Sequence, residues 1–469
     1  MLLKLKHKLF IALVSLPVVT FLAVGCSGSN PGTTTTTTTN PNTVTGPAFV
    51  VGTDAPLASV TSFAVQVQSI DAIDASGNSV SLLSGTPTVD FARYNGLQTL
   101  LDMNDVPVGT YNSVSITLGS ATIGYLNTPS GAAPTIQTEA ATLTQSTVKV
   151  TLASPLVIAQ SAPVGLHLDF DLRKSIQVDT NGQITGQVTP VFDVSAVGPS
   201  DSGAYIDEFA AAVVSVNTTA QSFVIQGPHG QQFTVNVNGQ TEWDDNDSLS
   251  SLSTNSIVQV SGTLDKADST LDADEVAILS QNSFYADGQV TYVQPTSGAA
   301  TSFDLYVRGL LPTSTALSLG QIAQVDLTGQ EKFFIYWMHN PLTQFLFNPS
   351  ALLPGQSVAI GGPASGAANA QAVTTNRVVL RNWGFDGTVV AGSTKPGNGT
   401  FQMQVNGFAG VLIPQTITVY ATGPTLFRYG LTGISTVQSG ANMRVVGLLL
   451  KDPSSGQTVL LGHYVDALK

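Results

Sequence analysis

The chain has 469 residues, 42% of them hydrophobic and only 10% charged, and its balance is acidic at net −13. That length allows about three or four domains, and so little charge excludes a disordered chain or a coiled coil as its main part. A binder of nucleic acid needs basic side chains to replace counterions, and 17 basic against 30 acidic residues argue against one.

Lys4, Lys6 and Lys8 open the chain and are followed by an uncharged, mostly apolar run from Leu9 to Val24. The run is shorter than the about 20 residues of a spanning helix and suits a secretory leader. It ends in Ala23-Val24-Gly25-Cys26, and Cys26 is the single cysteine of the chain. This resembles the bacterial lipobox, whose cysteine is cleaved free and acylated; the usual Leu three places before it is Ala23 here. The resemblance implies a leader over 1–25, lipidation at Cys26 and anchoring in a membrane. Ser27, where an Asp would favour retention at the inner membrane, implies the outer one. With one cysteine no internal disulfide can form, so the folds must hold by burial. Residues 26–47, with the threonine run Thr33–Thr39, read as a tether without a core.

From 48 to 199 the pattern is period-two alternation. Phe63, Val65 and Val67 alternate with polar or small neighbours, as do Val114, Ile116 and Leu118, and Leu166, Leu168, Phe170 and Leu172. Such runs are half-buried strands, and Ser76-Gly77-Asn78, Pro107-Val108-Gly109 and Asn181-Gly182 mark turns. An antiparallel β-sandwich is predicted, with a helical turn over Tyr94–Met103. Asp54-Ala55-Pro56, the strand Phe63–Ile70, Val108-Gly109-Thr110-Tyr111 and Leu168-Asp169-Phe170-Asp171 resemble domain-of-unknown-function family 4382 of bacterial lipoproteins. No activity comes with that resemblance. His167, Asp169 and Asp171 share one strand face, but the outer two stand about 13 Å apart. They cannot ligate one ion together, and the expectation is a solvated face with Arg173 as partner.

The remainder repeats. Val235, Val237, Gly239, Thr241 and Trp243 recur with equal spacing as Val325, Leu327, Gly329, Glu331 and Phe333, and as Val419, Ala421, Gly423, Thr425 and Phe427. A second block follows in each copy: Leu252, Val258, Val260, Gly262; Leu352, Val358, Ile360, Gly362; Val437, Met443, Val445, Gly447. Copies two and three open with Asp287-Gly288 and Asp386-Gly387. Solenoid units are about 20–50 residues, whereas this unit is long enough to bury its own core. Three separate beads are therefore expected, at 207–281, 285–381 and 384–469, each a small β-barrel of the OB-like kind. The pattern resembles domain-of-unknown-function family 5666, most closely in copy one.

Two local features stand out as site candidates. Glu242, Asp244, Asp245 and Asp247 crowd one loop of copy one, an oxygen-rich set that calcium could use but that reads first as a solvated acidic loop. Copy two is longer between Phe333 and Leu352, and the extra residues are aromatic: Tyr336, Trp337, Phe345 and Phe347, with His339 beside them, in a chain only 7% aromatic. They read either as a hairpin packed on a neighbouring module or as a platform for a sugar ring or partner protein. No nucleophile elbow, phosphate loop or zinc-binding His-Glu motif appears, and no cofactor is expected. The expectation is thus an all-β, lipid-anchored envelope protein with a non-catalytic binding or structural role. The alternatives are a hydrolase of envelope or extracellular polysaccharide working through paired carboxylates, and an accessory subunit of an outer-membrane complex. A glycan or an envelope protein is the expected partner.

Overall fold

The computed structural model describes residues 44–468, apart from 56–59, 95–98, 128–134, 161–163, 181–183, 199–204, 228–231, 245–246, 265–269, 282–283, 312–316, 336–344, 363–371 and 406–415. The predicted leader, Cys26 and most of the predicted tether lie outside the described residues.

The alternation at Phe63, Val65 and Val67 becomes the strand Val60–Asp74, in which these three are buried while Gln66 and Gln68 are not. It pairs along much of its length with Gly109–Asn127. These two anchor a sheet that also takes in Thr135–Leu143, Thr147–Ile158, Ser79–Ser81, Thr88–Asp90, Ile176–Val178 and Ile184–Val188. A second sheet has the order Phe192–Val197, Val164–Asp171, Thr45–Ala55, Thr99–Pro107. Phe63, Phe91 and Phe192 meet around Phe170, at ring-centroid distances of 5.1, 5.1 and 4.3 Å, and fill the space between the sheets.

The sandwich is not purely antiparallel. Val164–Asp171 runs parallel to Thr45–Ala55, and Ile184–Val188 parallel to Thr135–Leu143. Much of the other sheet is built between the first two, a connection long enough for a parallel return. The predicted helical turn falls earlier, as a 3₁₀ turn at Phe91–Tyr94, while Thr99–Pro107 is a strand whose backbone is paired with Thr45–Ala55.

The first barrel joins Tyr205–Asn217, Ser222–Gln226, Gln232–Asn236, Ser256–Leu264 and Leu271–Gln281. Its third and fifth strands pair in parallel and close the ring in the order first, second, third, fifth, fourth. The third barrel has the same closed order, from Trp383–Val389, Thr400–Val405, Thr416–Arg428, Asn442–Lys451 and Thr458–Ala467. The second follows it with its last strand split: Ala372–Thr374 lies parallel to Ile322–Asp326, and Arg377–Arg381 antiparallel to Ser357–Gly362. Phe284–Gln294 and Ser302–Leu311 complete it.

The repeated residues explain themselves in this frame. Leu252, Leu352 and Val437 follow short 3₁₀ turns, at Leu249–Ser251, Pro349–Ala351 and Ile434–Thr436, and each is buried as a plug. At Gly262 and Gly447 the fifth strand bulges so close that a Cβ would stand 2.1 Å from the carbonyl oxygens of Asp272 and Leu461.

The barrels are packed together and not strung as separate beads. One apolar cluster runs from Ala210, Ile257, Ala277 and Leu279 of the first barrel through the second to Leu448, Leu450, Val459 and Leu461 of the third. Another joins Phe49, Val51 and Leu100 of the sandwich to the core of the first barrel.

Candidate functional site: charged contacts between the units

The polar position of the repeat is structural. The backbone N–H of Asn238, Thr328 and Thr422 donates in turn to the side chains of Thr241, Glu331 and Thr425, three residues on. The Thr241 and Thr425 hydroxyls then donate to the carbonyls of Ala273 and Gly462, at 2.8 and 2.7 Å. That pins the end of the third strand to the bulge of the fifth.

The aromatic position leads into a segment that runs beside the last strand in every copy. Glu242–Trp243 pairs with Glu275 and Val276, Lys332–Ile335 with Arg377 to Leu380, and Leu426 to Arg428 with Tyr464 to Asp466. In the second barrel the Arg377 guanidinium lies 4.6 Å from the Phe334 ring centre; in the third, Arg428 lies 4.1 Å from that of Tyr464. The positions correspond and the cation and the ring have changed places, so the contact is kept while the residues differ.

Two charged clusters lie where the sandwich faces the barrels. The first centres on Asp287, the opening aspartate of copy two. Its carboxylate accepts from Arg93 of the sandwich at 2.5 Å, from Arg381 at 2.9 Å, and from the Tyr285 hydroxyl. Arg381 also donates to the Tyr285 oxygen at 2.6 Å. Burial pushes Asp287 up, but Arg93 and Arg381 outweigh it and hold the carboxyl below its ordinary range. Burial drives Tyr285 well above its usual value, so it remains a neutral donor. Beside this, Arg308 donates to the Ala92 carbonyl at 2.7 Å and lies 4.6 Å from the Trp383 ring centre. Asp90, raised by burial against the pull of Arg308 and Arg93, accepts the Phe63 N–H at 2.8 Å. Gly288 beside Asp287 is forced by the second strand, since a Cβ there would stand 1.7 Å from the Tyr306 oxygen.

The second cluster is a row across the third barrel. Asp386, Arg444, Asp466 and Arg428 are successive register partners on four adjoining strands, alternating in sign. Arg444 forks onto Asp386 at 2.8 and 3.3 Å, and Arg428 onto Asp466 at 2.7 Å twice. Asp169 of the sandwich feels this row. Burial lifts it to about 6, opposed by Arg444 and aided by Asp171, Asp193 and Asp386.

His167, Asp169 and Asp171 do not form one solvated face with Arg173, because Asp171 is buried. His167 and Asp169 are partly exposed, and burial lowers His167 with Asp193 opposing. Asp171 caps the short helix Leu172–Ser175 and pairs with Lys174 at 2.8 Å. Among the described residues no three His, Cys, Asp or Glu side chains gather as a metal site. Glu242, Asp244 and Asp247 are each partly exposed, and Asp245 lies outside the described residues. Of the aromatic insertion, Tyr336, Trp337 and His339 also lie outside them. Phe345 and Phe347 are buried, the first against Tyr420 of the third barrel at 5.9 Å, the second against Phe333 at 5.3 Å. Sequence reasoning missed Arg93, Tyr285 and Arg381. The repeated Asp-Gly opening, which places both Asp287 and Asp386 in charged contacts, was the available signal.

Comparison with known families agrees with this layout. Residues 47–185 match the model of a domain of unknown function, DUF4382, and residues 212–277 that of another, DUF5666. The DUF4382 match falls on the sandwich and the DUF5666 match on the first barrel; the second and third barrels lie beyond it and repeat its strand order. No curated protein matches. Among solved structures, Drosophila Unr CSD456 aligns at 9% identity over 56% of this chain and 97% of its own, with a TM-score of 0.15, too low to bear on the fold.

Proposed function

We propose that this chain is an exported, lipid-anchored protein of the bacterial cell envelope, whose DUF4382 and barrel units form one body with a non-catalytic binding or structural role. The observation that carries the reading is the sequence of basic residues, apolar run and Ala23-Val24-Gly25-Cys26, ending on the single cysteine. A tether with the run Thr33–Thr39 then leads to the first strand at Thr45. The net charge of −13 is repelled by anionic headgroups, so attachment falls to the lipid.

The body supports a binding or structural role by how its charges are used. Asp287, Asp386 and Asp466 are each engaged by arginine. Asp90 and Asp169 are raised by burial, and Asp90 accepts the Phe63 N–H within the sandwich. A polysaccharide hydrolase would need two facing carboxylates in a cleft open to a sugar chain. Ser27 favours the outer membrane, and an envelope glycan or protein is the partner class.

Lipidation is tested by growing cells with labelled palmitate. Wild-type protein should carry the label, and Cys26→Ala should accumulate as unlabelled, uncleaved precursor. Normal processing of Cys26→Ala, or an unlabelled wild type, would sink the reading.

A further inference from the structure

In the first barrel the turn after the third strand is Asn238-Gly239-Gln240-Thr241, and Asn238, Gly239 and Gln240 are exposed. The Thr241 N–H donates to the Asn238 carbonyl at 3.1 Å and closes the turn. The Gln240 N–H donates to Oδ1 of Asn238 at 2.8 Å and holds that side chain beside the main chain. Between them stands the Gly239 N–H, which makes no hydrogen bond among the described residues. A Cβ on Gly239 would meet nothing within 4 Å, so the space over this peptide is open.

An asparagine side-chain amide and the next main-chain nitrogen can close a five-membered ring. The nitrogen is the nucleophile, Cγ the electrophile, and the charge of the addition develops on Oδ1. A backbone N–H already aimed at that oxygen stabilises the charge as an oxyanion hole does. We propose that Asn238 is a spontaneous modification site, at which the Gly239 nitrogen closes on Cγ and the side-chain amide is lost. The Gly239 N–H gives its proton to hydroxide and the N–Cγ bond forms. The Cγ–Nδ2 bond then breaks, and Nδ2 takes a proton from water and leaves as ammonia. Water opens the resulting succinimide at Cγ to give aspartate, or at the main-chain carbonyl to give isoaspartate. Both products add a negative charge. Isoaspartate also lengthens the main chain by a methylene, in the turn by which Thr241 pins the third strand to the bulge of the fifth.

The fold supplies its own controls. Thr328 and Thr422 hold the place of Asn238 in the other two copies and carry no amide. Asn398-Gly399 in the third barrel is another such pair, also with an exposed asparagine. There the Gly399 N–H is tied to the Pro396 carbonyl at 3.2 Å, and a Cβ on Gly399 would stand 2.7 Å from the Ala421 oxygen. The attacking nitrogen is held and its surroundings are crowded. The Asn-Gly pairs at 95–96, 181–182 and 406–407 lie outside the described residues.

The test incubates the full-length chain in water labelled with heavy oxygen, at about pH 6 and about pH 8, and maps its peptides by mass spectrometry. The Gly399 hydrogen bond must break before that site reacts, so label should enter at Asn238 at least about fivefold faster than at Asn398. Entry should be faster at the higher pH, because the nitrogen attacks without its proton. In denaturant the two rates should converge. Gly239→Ala, which has room for its methyl group, should slow entry without moving the melting temperature, and Asn238→Thr should abolish it in that peptide. Equal rates at Asn238 and Asn398 in the folded chain, a gap that persists in denaturant, a rate that does not rise with pH, or label remaining in the Asn238→Thr peptide would overturn the proposal.

Discussion

Asp287 is held by two arginines and a phenol, and Asp287, Tyr285 and Arg381 are buried. Arg93 is 194 residues away in sequence, so this contact closes a long loop across the whole first half of the body. Removing one partner of a buried ionic group strands the others without compensation and costs about 3–5 kcal/mol. Asp287→Ala should lower the unfolding free energy by that order in denaturant titration, with Arg93 and Arg381 left facing each other. Because folding depresses the Asp287 carboxyl, its contribution is present at neutral pH. It is lost as pH falls below the ordinary carboxylate value and through the folded one. The acid limb of a wild-type stability profile should therefore flatten in Asp287→Ala. An unchanged limb would mean that the pair is not what acid breaks.

At the scale of elements, the repeated glycines differ in what a side chain there would meet. Gly447 faces the Leu461 carbonyl at the bulge, whereas a Cβ on Gly239 would meet nothing within 4 Å and its φ is not positive. Gly447→Ala should thus cost about 1–3 kcal/mol through forced backbone movement. Gly239→Ala should stay within about 0.5 kcal/mol of wild type, and equal losses would refute the distinction. Equal spacing made all three copies visible in the sequence, because each barrel needs its apolar residues, plug and close approach at the same places. Alternation likewise exposed Val60–Asp74 and Val164–Asp171. Thr99–Pro107 was harder to read, since it is a strand by virtue of its partner Thr45–Ala55, far away in the chain. The exchanged cation and ring at Arg377–Phe334 and Tyr464–Arg428 were hidden for a related reason: what is kept is a contact, and the residue types at the two positions are not. The charged clusters were hidden more deeply, since nothing local in Arg93 announces a partner on another unit.

At the scale of the whole fold from Val44 on, spacing suggested three beads and packing gives one body. The sandwich covers part of the first barrel with Phe49, Val51 and Leu100. It grips the second through Arg93 and the Ala92 carbonyl. Gln356 of the second barrel, fully buried, donates to the Leu449 carbonyl of the third at 3.0 Å. A fragment of residues 207–281 would expose Ala210, Ile257, Ala277 and Leu279 and lose its apolar cover. A barrel of about 75 residues without a disulfide has little stability to spare. Scanning calorimetry of the full chain beside that fragment tests the single body most directly. The expected result is that the fragment melts well below any transition of the full chain, or is unfolded throughout. A resolved transition in the full chain at the fragment's own melting temperature would contradict it, and would return the first barrel to an independent bead.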